Sequence, residues 1–221
     1  MPIHAIVPMK ALVQVKSRLA DLFSLAERQE LALAMLQNVL ATLHSLVGLE
    51  ATLAFQKVWL VSTDATILAK APQLGAQPLH DPHDDINAAL HLARELALQE
   101  GAKRILVVPA DLPLLTPKDV QNLLKNLAKV QVVIAPDRKR RGTNALGLQL
   151  PSTLPFQFGY DSFRYHCEAA TDLGFAPYIY DSPTIALDID MPEDFVALER
   201  SFAEDFNPQS ALKDFLERRQ R

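Results

Sequence analysis

The stretch ILVVPADLPLL, residues 105–115, decides the fold class of this 221-residue chain. Four consecutive apolar residues predict a fully buried strand, and the proline-rich segment that follows ends the strand and fixes a loop around Asp111. Short apolar runs of this kind alternate along the chain with longer segments of helical periodicity, which is typical of βαβ units. We therefore predict an α/β fold with a mostly parallel central sheet flanked by helices.

The same patterns place the individual elements. Strands are predicted at 4–7, 58–61, 77–79, 105–108, 130–135, 145–150 (in the opposite direction), 177–180 and 185–187. Helices are predicted at 27–47, 66–70, 86–99, 117–129, 162–173 and 192–202. We expect a single domain over 1–205 and a helical tail over 206–221. A weak apolar stripe in the tail indicates either a helix docked on the domain or a helix that binds a partner.

Composition excludes several classes of protein. Lys and Arg number 22 against 26 Asp and Glu, so the net charge is −4, which argues against a general nucleic-acid binder. The one cysteine cannot form an internal disulfide or a cysteine-based zinc site. No segment has the pattern of a targeting signal or a membrane span. We expect a cytoplasmic protein without nucleic-acid or membrane partners.

Three acidic residues at predicted strand ends suggest a metal site. In IALDIDMPED, residues 185–194, strand alternation puts Asp188 and Asp190 on one side. Two such carboxylates repel each other unless a cation lies between them, and Mg²⁺ prefers carboxylate and phosphate oxygens. Asp111 falls at the carboxyl end of a strand, where open α/β sheets bind ligands. The alternatives are that Asp111 caps a turn or a helix start and that Asp190 caps a helix.

Two further segments carry groups suited to phosphate. In DRKRRGTNALGL, residues 137–148, Thr143 offers a hydroxyl beside several cations. In FGYDSFRYH, residues 158–166, Gly159 and Ser162 precede a helix whose N-terminal amides favour an anion. The alternatives are a solvated basic loop and an ordinary helix cap.

The loop PMKALVQVKSRL, residues 8–19, carries three cations after the first strand, namely Lys10, Lys16 and Arg18. A nucleotide triphosphate would be neutralised at this place, although each cation alone could be a surface charge. Neither GxxxxGK[ST] nor GxGxxG occurs, so a P-loop or a standard dinucleotide fold is unsupported.

Taken in order, these segments resemble a known family. The chain is similar to the phosphoenolpyruvate/2-phospho-L-lactate guanylyltransferases of deazaflavin coenzyme F-420 biosynthesis. The matching segments are VPMK…KSRLA (7–20), LVSTD (60–64), DINAAL (85–90), PADLPLL (109–115), APD…GTNALGL (135–148), FGYDSF (158–163) and ALDIDMPED (186–194). The resemblance implies a single-domain, Rossmann-like nucleotidyltransferase fold of the GT-A type, and is compatible with a homodimer.

The resemblance also implies a reaction and a set of roles. GMP would pass from GTP to the phosphate of phosphoenolpyruvate, 2-phospho-L-lactate or 3-phospho-D-glycerate, with release of pyrophosphate. The implied catalytic residues are Lys16, Arg18 and Asp111, and the implied Mg²⁺ ligands are Asp111, Asp188 and Asp190. The acceptor would contact Thr143, Gly159 and Ser162. The nucleotide would contact Val7, Pro8, Lys10, Ser62, Asp64, Asn87 and Pro109.

Two rival interpretations remain open from the sequence. The first is another nucleotidyltransferase, which would use CTP or act on a sugar phosphate or a molybdopterin. The second is a non-catalytic nucleotide-binding protein on the same fold. The chemistry favours catalysis without a poised histidine, because a phosphate nucleophile is already ionised near neutral pH, its second pKa being about 6.

Overall fold

A seven-stranded sheet forms the centre of the computed structural model, which describes residues 1–47, 54–82, 85–203 and 210–219. The strands are β1 (Ile3–Pro8), β2 (Lys57–Ser62), β3 (Gln77–His80), β4 (Arg104–Val107), β5 (Val132–Pro136), β6 (Thr143–Gln149) and β7 (Tyr178–Ile179). Their order across the sheet is β3-β2-β1-β4-β6-β5-β7. Only β6 runs antiparallel to its neighbours, β4 and β5, as its sequence predicts.

Seven α-helices are found in the described part of the chain. They are α1 (Leu25–His44), α2 (Ala65–Leu68), α3 (Ile86–Gln99), α4 (Pro117–Leu127), α5 (Ser162–Asp172), α6 (Pro192–Ala203) and α7 (Ser210–Arg219). Helix α1 begins after Ser24, whose hydroxyl accepts from the Glu27 amide while the Glu27 carboxylate accepts from the Ser24 amide. None of these helices is long and apolar enough to cross a bilayer.

Both faces of the sheet are buried, which explains the continuous apolar strands. Ile3, Ala5 and Val7 of β1 pack with residues of α1 and α4, whereas Ile6 packs on the other face with α3. The predicted α/β class and mostly parallel sheet are therefore confirmed, and the predicted elements lie within a few residues of the observed ones, with one exception.

The predicted strand at 185–187 is wrong, because this segment forms a turn and then an extended stretch without sheet pairing. Its alternation is real, since Ile185, Leu187 and Ile189 are buried while the two aspartates between and after them are only partly buried. The apolar side chains pack in the core. Single backbone hydrogen bonds, such as the one from Ile189 N–H to the Asp111 carbonyl (3.3 Å), take the place of regular pairing with a neighbouring strand. The alternation therefore predicts correctly which residues are buried, but the strand pairing predicted for this segment is wrong.

Helix α7 docks on the rest of the chain. Leu212, Phe215 and Leu216 are almost fully buried in a cluster that also contains Phe23 and Phe195. The apolar stripe predicted in the tail therefore packs against α1 and α6. Residues 206–209 and 220–221 of the predicted tail lie outside the described residues.

Candidate active site

The site lies at the carboxyl ends of β1 and β4, where three segments meet. Lys16 belongs to the loop after β1, Asp111 follows β4, and Asp190 lies two residues before the start of α6. The Nζ of Lys16 is 2.7 Å from Oδ2 of Asp111 and 3.0 Å from Oδ1 of Asp190. Arg18 Nη1 is 3.9 Å from the other oxygen of Asp190. The structure therefore brings together the predicted catalytic cations and two of the predicted metal ligands.

Lys16 is held in an unusual position. Its backbone has φ 50° and ψ 39°, a left-handed conformation that costs a residue other than glycine about 1 kcal/mol. Its side chain is only 7% exposed. Burial by itself would lower the pKa of Lys16, but the Asp111 and Asp190 carboxylates raise it above its ordinary value. The ammonium group is therefore charged and fixed between two acids at neutral pH.

The third acid, Asp188, has a different environment. Burial and the negative charges of Asp111 and Asp190 raise the pKa of Asp188 to about 7. Its Oδ1 accepts a hydrogen bond from Nδ2 of Asn144 at 3.3 Å. For Asp190 burial also acts to raise the pKa, but the Lys16 charge and hydrogen bond bring it below its ordinary value. The Lys16 ammonium group thus pairs with Asp111 and Asp190 but not with Asp188, whose charge is left poorly compensated.

This donor set fits a hard divalent cation. Among the described residues, no three His, Cys, Asp or Glu side chains form a ready-made metal cage. Mg²⁺ does not require one, because it usually binds through one or two carboxylates, several waters and substrate phosphates. Asp188 provides a carboxylate whose ionised form is disfavoured by burial and by neighbouring negative charge and would be favoured by added positive charge.

The predicted acceptor residues also lie together. The backbone N–H of Thr143 donates to Oγ of Ser162 at 2.9 Å, joining the start of β6 to the start of α5. Gly159 precedes this helix with φ 135°, a conformation that favours glycine, and a Cβ placed there would meet no atom within 4 Å. The structure therefore assembles Thr143 and Ser162 beside the loop that carries Gly159.

His166 completes this group, although no sequence motif singled it out. Its Nδ1 lies 2.9 Å from Oγ1 of Thr143, and its side chain is fully buried. The signal available in the sequence is spacing, because residues 162 and 166 are one helical turn apart and face the same side of α5. Scattered histidines without metal-binding spacing gave no reason to select it.

Two of the predicted nucleotide-pocket residues hold loops in place. Asp64 caps α2 by accepting from the Thr66 amide at 2.8 Å, and its other oxygen accepts from the Leu12 amide at 3.0 Å. Asn87 binds the backbone of Phe158, accepting from its N–H at 2.7 Å and donating to its carbonyl at 3.2 Å. Asp64 therefore ties the cationic loop to β2, and Asn87 ties α3 to the acceptor loop.

The remaining nucleotide-pocket candidates differ in exposure. The side chain of Val7 is fully buried in the core, and Pro8 is buried at the end of β1. Ser62 is also buried and accepts from the Asp64 amide at 3.1 Å. Lys10 is exposed and Pro109 is partly buried. These residues lie at or just after the carboxyl ends of β1, β2 and β4, which is the side of the sheet where Lys16 lies.

The arrangement combines partly buried carboxylates, one fixed ammonium group and two hydroxyl groups beyond the carboxyl ends of the strands of an α/β sheet, which suits chemistry on phosphates. A family model described as "Guanylyl transferase CofC like" matches residues 3–201. The chain belongs to the CofC-like guanylyl transferase family. The match covers every residue discussed at the site, and it ends before α7 begins.

Relatives named for two acceptors support this assignment. The chain is 42% identical over 187 residues to a phosphoenolpyruvate guanylyltransferase of Chloroflexus aggregans, covering 85% of this chain and 92% of that protein. It is 35% identical over 191 residues to a 2-phospho-L-lactate guanylyltransferase of Methanothermobacter thermautotrophicus, covering 86% and 81%. Relatives that match over most of their length therefore support both the assignment to the CofC-like family and a transferase activity.

A solved structure supports the fold independently. A chain of Desulfovibrio desulfuricans G20 described as a nucleotide-diphospho-sugar transferase superposes with a TM-score of 0.78, covering 99% of this chain and 95% of that one. The sequence identity is 19%, so this likeness concerns the fold alone. The predicted nucleotidyltransferase fold of this CofC-like chain is confirmed.

Proposed function

We propose that this chain transfers GMP from GTP to the phosphate of a small phosphorylated carboxylic acid and releases pyrophosphate. The observation that carries the proposal is the Lys16 ammonium group fixed between Asp111 and Asp190 in a guanylyl transferase family chain. The relatives' names give the acceptor class, phosphoenolpyruvate or 2-phospho-L-lactate, and 3-phospho-D-glycerate belongs to the same class. The product would serve the biosynthesis of coenzyme F-420.

The reaction requires charge neutralisation more than proton transfer. The attacking phosphate oxygen is ionised near neutral pH, so the site needs no general base. An anionic acceptor must approach an anionic triphosphate, and fixed cations lower the cost of that approach. Lys16 is buried and already oriented by two carboxylates, whereas the Arg18 side chain is 69% exposed and free to reorient toward phosphate oxygens.

Mg²⁺ is the cation that we propose for this site. Asp111, Asp188 and Asp190 would hold it, and Asn144 would orient Asp188 through the hydrogen bond to its Oδ1. When bound, Mg²⁺ would neutralise phosphate charge and stabilise the leaving pyrophosphate. The aspartates would bind Mg²⁺ in their ionised forms, so the proton that burial and neighbouring charge favour on Asp188 would leave.

The acceptor and nucleotide contacts extend the proposal. Thr143, Gly159 and Ser162 would hold the anionic groups of the acceptor, because hydroxyls and backbone amides donate to oxygens that only accept. The nucleotide would lie along the ends of β1 and β2, contacting the residues predicted for it from the sequence. A cytoplasmic location and a homodimeric state remain predictions.

A panel of substrates tests the proposal. Pyrophosphate release is measured with GTP, MgCl₂ and each of the three phosphorylated acids, and repeated with ATP, CTP and UTP. We expect release with GTP and at least one of the acids, and loss of release in Lys16→Met. The exposed Lys139, whose partner is Glu193 on the surface, provides the matched control Lys139→Met. Equal release with CTP, or none with any of the acids, would contradict the proposal.

A further inference from the structure

His166 contacts Thr143, one of the proposed acceptor residues, from inside the protein. It lies on α5, is fully buried, and stacks edge-on against Phe158 with ring centroids 5.0 Å apart. Each of its ring nitrogens has a partner. Nε2 lies 3.1 Å from the backbone nitrogen of Gln157, and Nδ1 lies 2.9 Å from Oγ1 of Thr143.

The Gln157 contact determines the protonation state of the ring. A backbone amide can only donate, so Nε2 must present its lone pair. The ring is then neutral with its single proton on Nδ1, and this proton points at Oγ1 of Thr143. The burial that lowers the pKa of His166 to about 4 agrees with a neutral ring at pH 7.

The direction of this bond determines what the Thr143 hydroxyl can do. Because Oγ1 accepts from His166, its own hydrogen is available for a different partner. The same holds for Ser162, whose Oγ accepts from the Thr143 amide. Within the described ranges, neither hydroxyl oxygen has a further hydrogen-bonding partner. Two adjacent hydroxyls are therefore left as donors.

We propose that His166 is a positioning residue, which directs the Thr143 hydroxyl as a donor toward an anionic group of the acceptor. This inference rests on the proposed function, because it takes the ligand near Thr143 to be a phosphorylated carboxylic acid. Phosphate and carboxylate oxygens accept and do not donate at neutral pH. A hydroxyl free to rotate would spend part of its time presenting a lone pair to these anions, which repels them.

Two substitutions separate positioning from simple packing. The amide nitrogen of asparagine lies near the place of Nδ1 in histidine, so His166→Asn retains a donor toward Thr143. The amide of glutamine reaches the place of Nε2, so His166→Gln can accept from Gln157 and loses the donor toward Thr143. Both substitutions replace the buried ring with a smaller amide, and both are expected to lower the melting temperature.

Kinetics with GTP and phosphoenolpyruvate, or whichever of the three acids the wild type uses, provide the first test. We expect His166→Gln to raise the KM for the acceptor by about tenfold or more, the size of effect produced by one hydrogen bond to a charged group. The KM for GTP should stay near the wild-type value. His166→Asn should recover most of the acceptor KM, and His166→Gln should add little in a Thr143→Val background.

The tautomer is tested without substrate. The ¹⁵N shifts of His166 in the labelled wild-type protein at pH 7 should show a protonated Nδ1 and an unprotonated Nε2. A proton on Nε2, or an imidazolium, would overturn the proposal, as would a His166→Gln variant with the acceptor KM of the wild type. Failure of the proposed function would look different, since the wild type itself would release no pyrophosphate with any acceptor.

Discussion

The Nζ of Lys16 lies 2.7 Å from Oδ2 of Asp111, although 95 positions separate the two residues in the chain. The same nitrogen reaches Asp190, 174 positions away. One ammonium group thus joins the loops that follow β1 and β4 to the segment before α6. Because the Lys16 ammonium group is itself buried and pairs with both carboxylates, it forms the charge centre of the site.

Removing the Lys16 charge tests this centre. We expect Lys16→Met to lower kcat/KM by about a hundredfold or more, since fixed charge aimed at a transferring phosphoryl group is a large part of such catalysis. The partly buried carboxylates of Asp111 and Asp190 would also lose their cation, which lowers stability. Steady-state kinetics and thermal melts of Lys16→Met and Lys139→Met measure both effects. A Lys16→Met enzyme within about threefold of wild type would show that Lys16 has no catalytic part.

Asp188→Asn separates metal binding from folding. The amide is neutral, like the protonated carboxyl that the surroundings of Asp188 favour, so the metal-free fold should be little affected. Binding of Mg²⁺ should weaken because a neutral amide is a poorer ligand than a carboxylate. Turnover should fall strongly and depend on higher Mg²⁺ concentrations. Wild-type activity at limiting Mg²⁺ would rule out Asp188 as a ligand.

The docked helix α7 should support the site as well as the fold. Phe215 is buried near Phe23 and Phe195, in the cluster that contains Leu187 and Ile189, which alternate with the acidic residues. Phe215→Ala should cost about 3 kcal/mol of unfolding free energy, as buried aromatic truncations do. It should also lower kcat at temperatures where the variant is fully folded.

A core substitution far from the acids provides the comparison. Leu127 is fully buried at the end of α4, in the cluster on the face of the sheet that packs against α1 and α4. Leu127→Ala should lower stability by an amount similar to that of Phe215→Ala and leave kcat nearly unchanged. Equal kcat for the two variants would mean that α7 contributes to stability only.

Asp119 anchors the segment that leads to the acids. Its buried carboxylate accepts from the Tyr180 hydroxyl at 2.9 Å, the Ser182 hydroxyl at 2.6 Å and the Thr184 hydroxyl at 2.7 Å. It also accepts from the Thr116 amide and hydroxyl at the start of α4. Asp119→Asn would place an amide donor among these donors, and should cost about 2 kcal/mol of stability.

Because the pKa of Asp119 is shifted, the loss of stability in Asp119→Asn should depend on pH. Burial acts to raise that pKa, but the hydrogen bonds from Ser182, Thr116, Thr184 and Tyr180 bring it below its ordinary value. A carboxyl with a depressed pKa stabilises the fold above its unfolded pKa and loses that contribution as the pH falls. The stability difference between wild type and Asp119→Asn should therefore shrink toward acidic pH. A difference that stays constant from pH 7 to pH 3 would contradict the assignment.

The shifted pKa of His166 leads us to expect a second pH dependence of stability, at higher pH than that of Asp119. Burial lowers its pKa from 6.5 to about 4, so between these values the unfolded chain binds more protons than the folded one. Stability from this group is therefore fully present above about pH 6.5 and is lost as the pH falls toward 4. Denaturant unfolding should show a steeper acid loss in wild type than in His166→Asn. Parallel pH profiles for the two proteins would show that His166 titrates normally.

The fold was predictable because its decisive signals are local. Apolar runs such as 105–108 are long enough to be buried strands, and helix starts such as Thr116–Pro117 follow capping rules. The strand at 185–187 could not be excluded in the same way. Alternation reports which side is buried, whereas pairing depends on whether a neighbouring edge is free.

The sequence predicts which segments form the site, but it does not predict the contacts between their side chains. The spacing predicts that Asp188 and Asp190 lie on the same side of their segment. The order of the motifs predicts that Lys16 and Asp111 belong to one site. The ion pairs that join them cross 95 and 174 positions, and no local pattern encodes such a contact. His166 was missed for a similar reason, because its role depends on the backbone of Gln157 and the hydroxyl of Thr143.

The most direct test of guanylyl transfer is ³¹P NMR of the wild-type enzyme with GTP, MgCl₂ and phosphoenolpyruvate, 2-phospho-L-lactate or 3-phospho-D-glycerate. We predict that with one or more of these acids a new pair of diphosphate signals, which joins the GMP phosphorus to that of the acid, grows in step with pyrophosphate. Conversion of GTP to GDP and inorganic phosphate, or no change in the GTP signals with any of the three acids, would contradict the account.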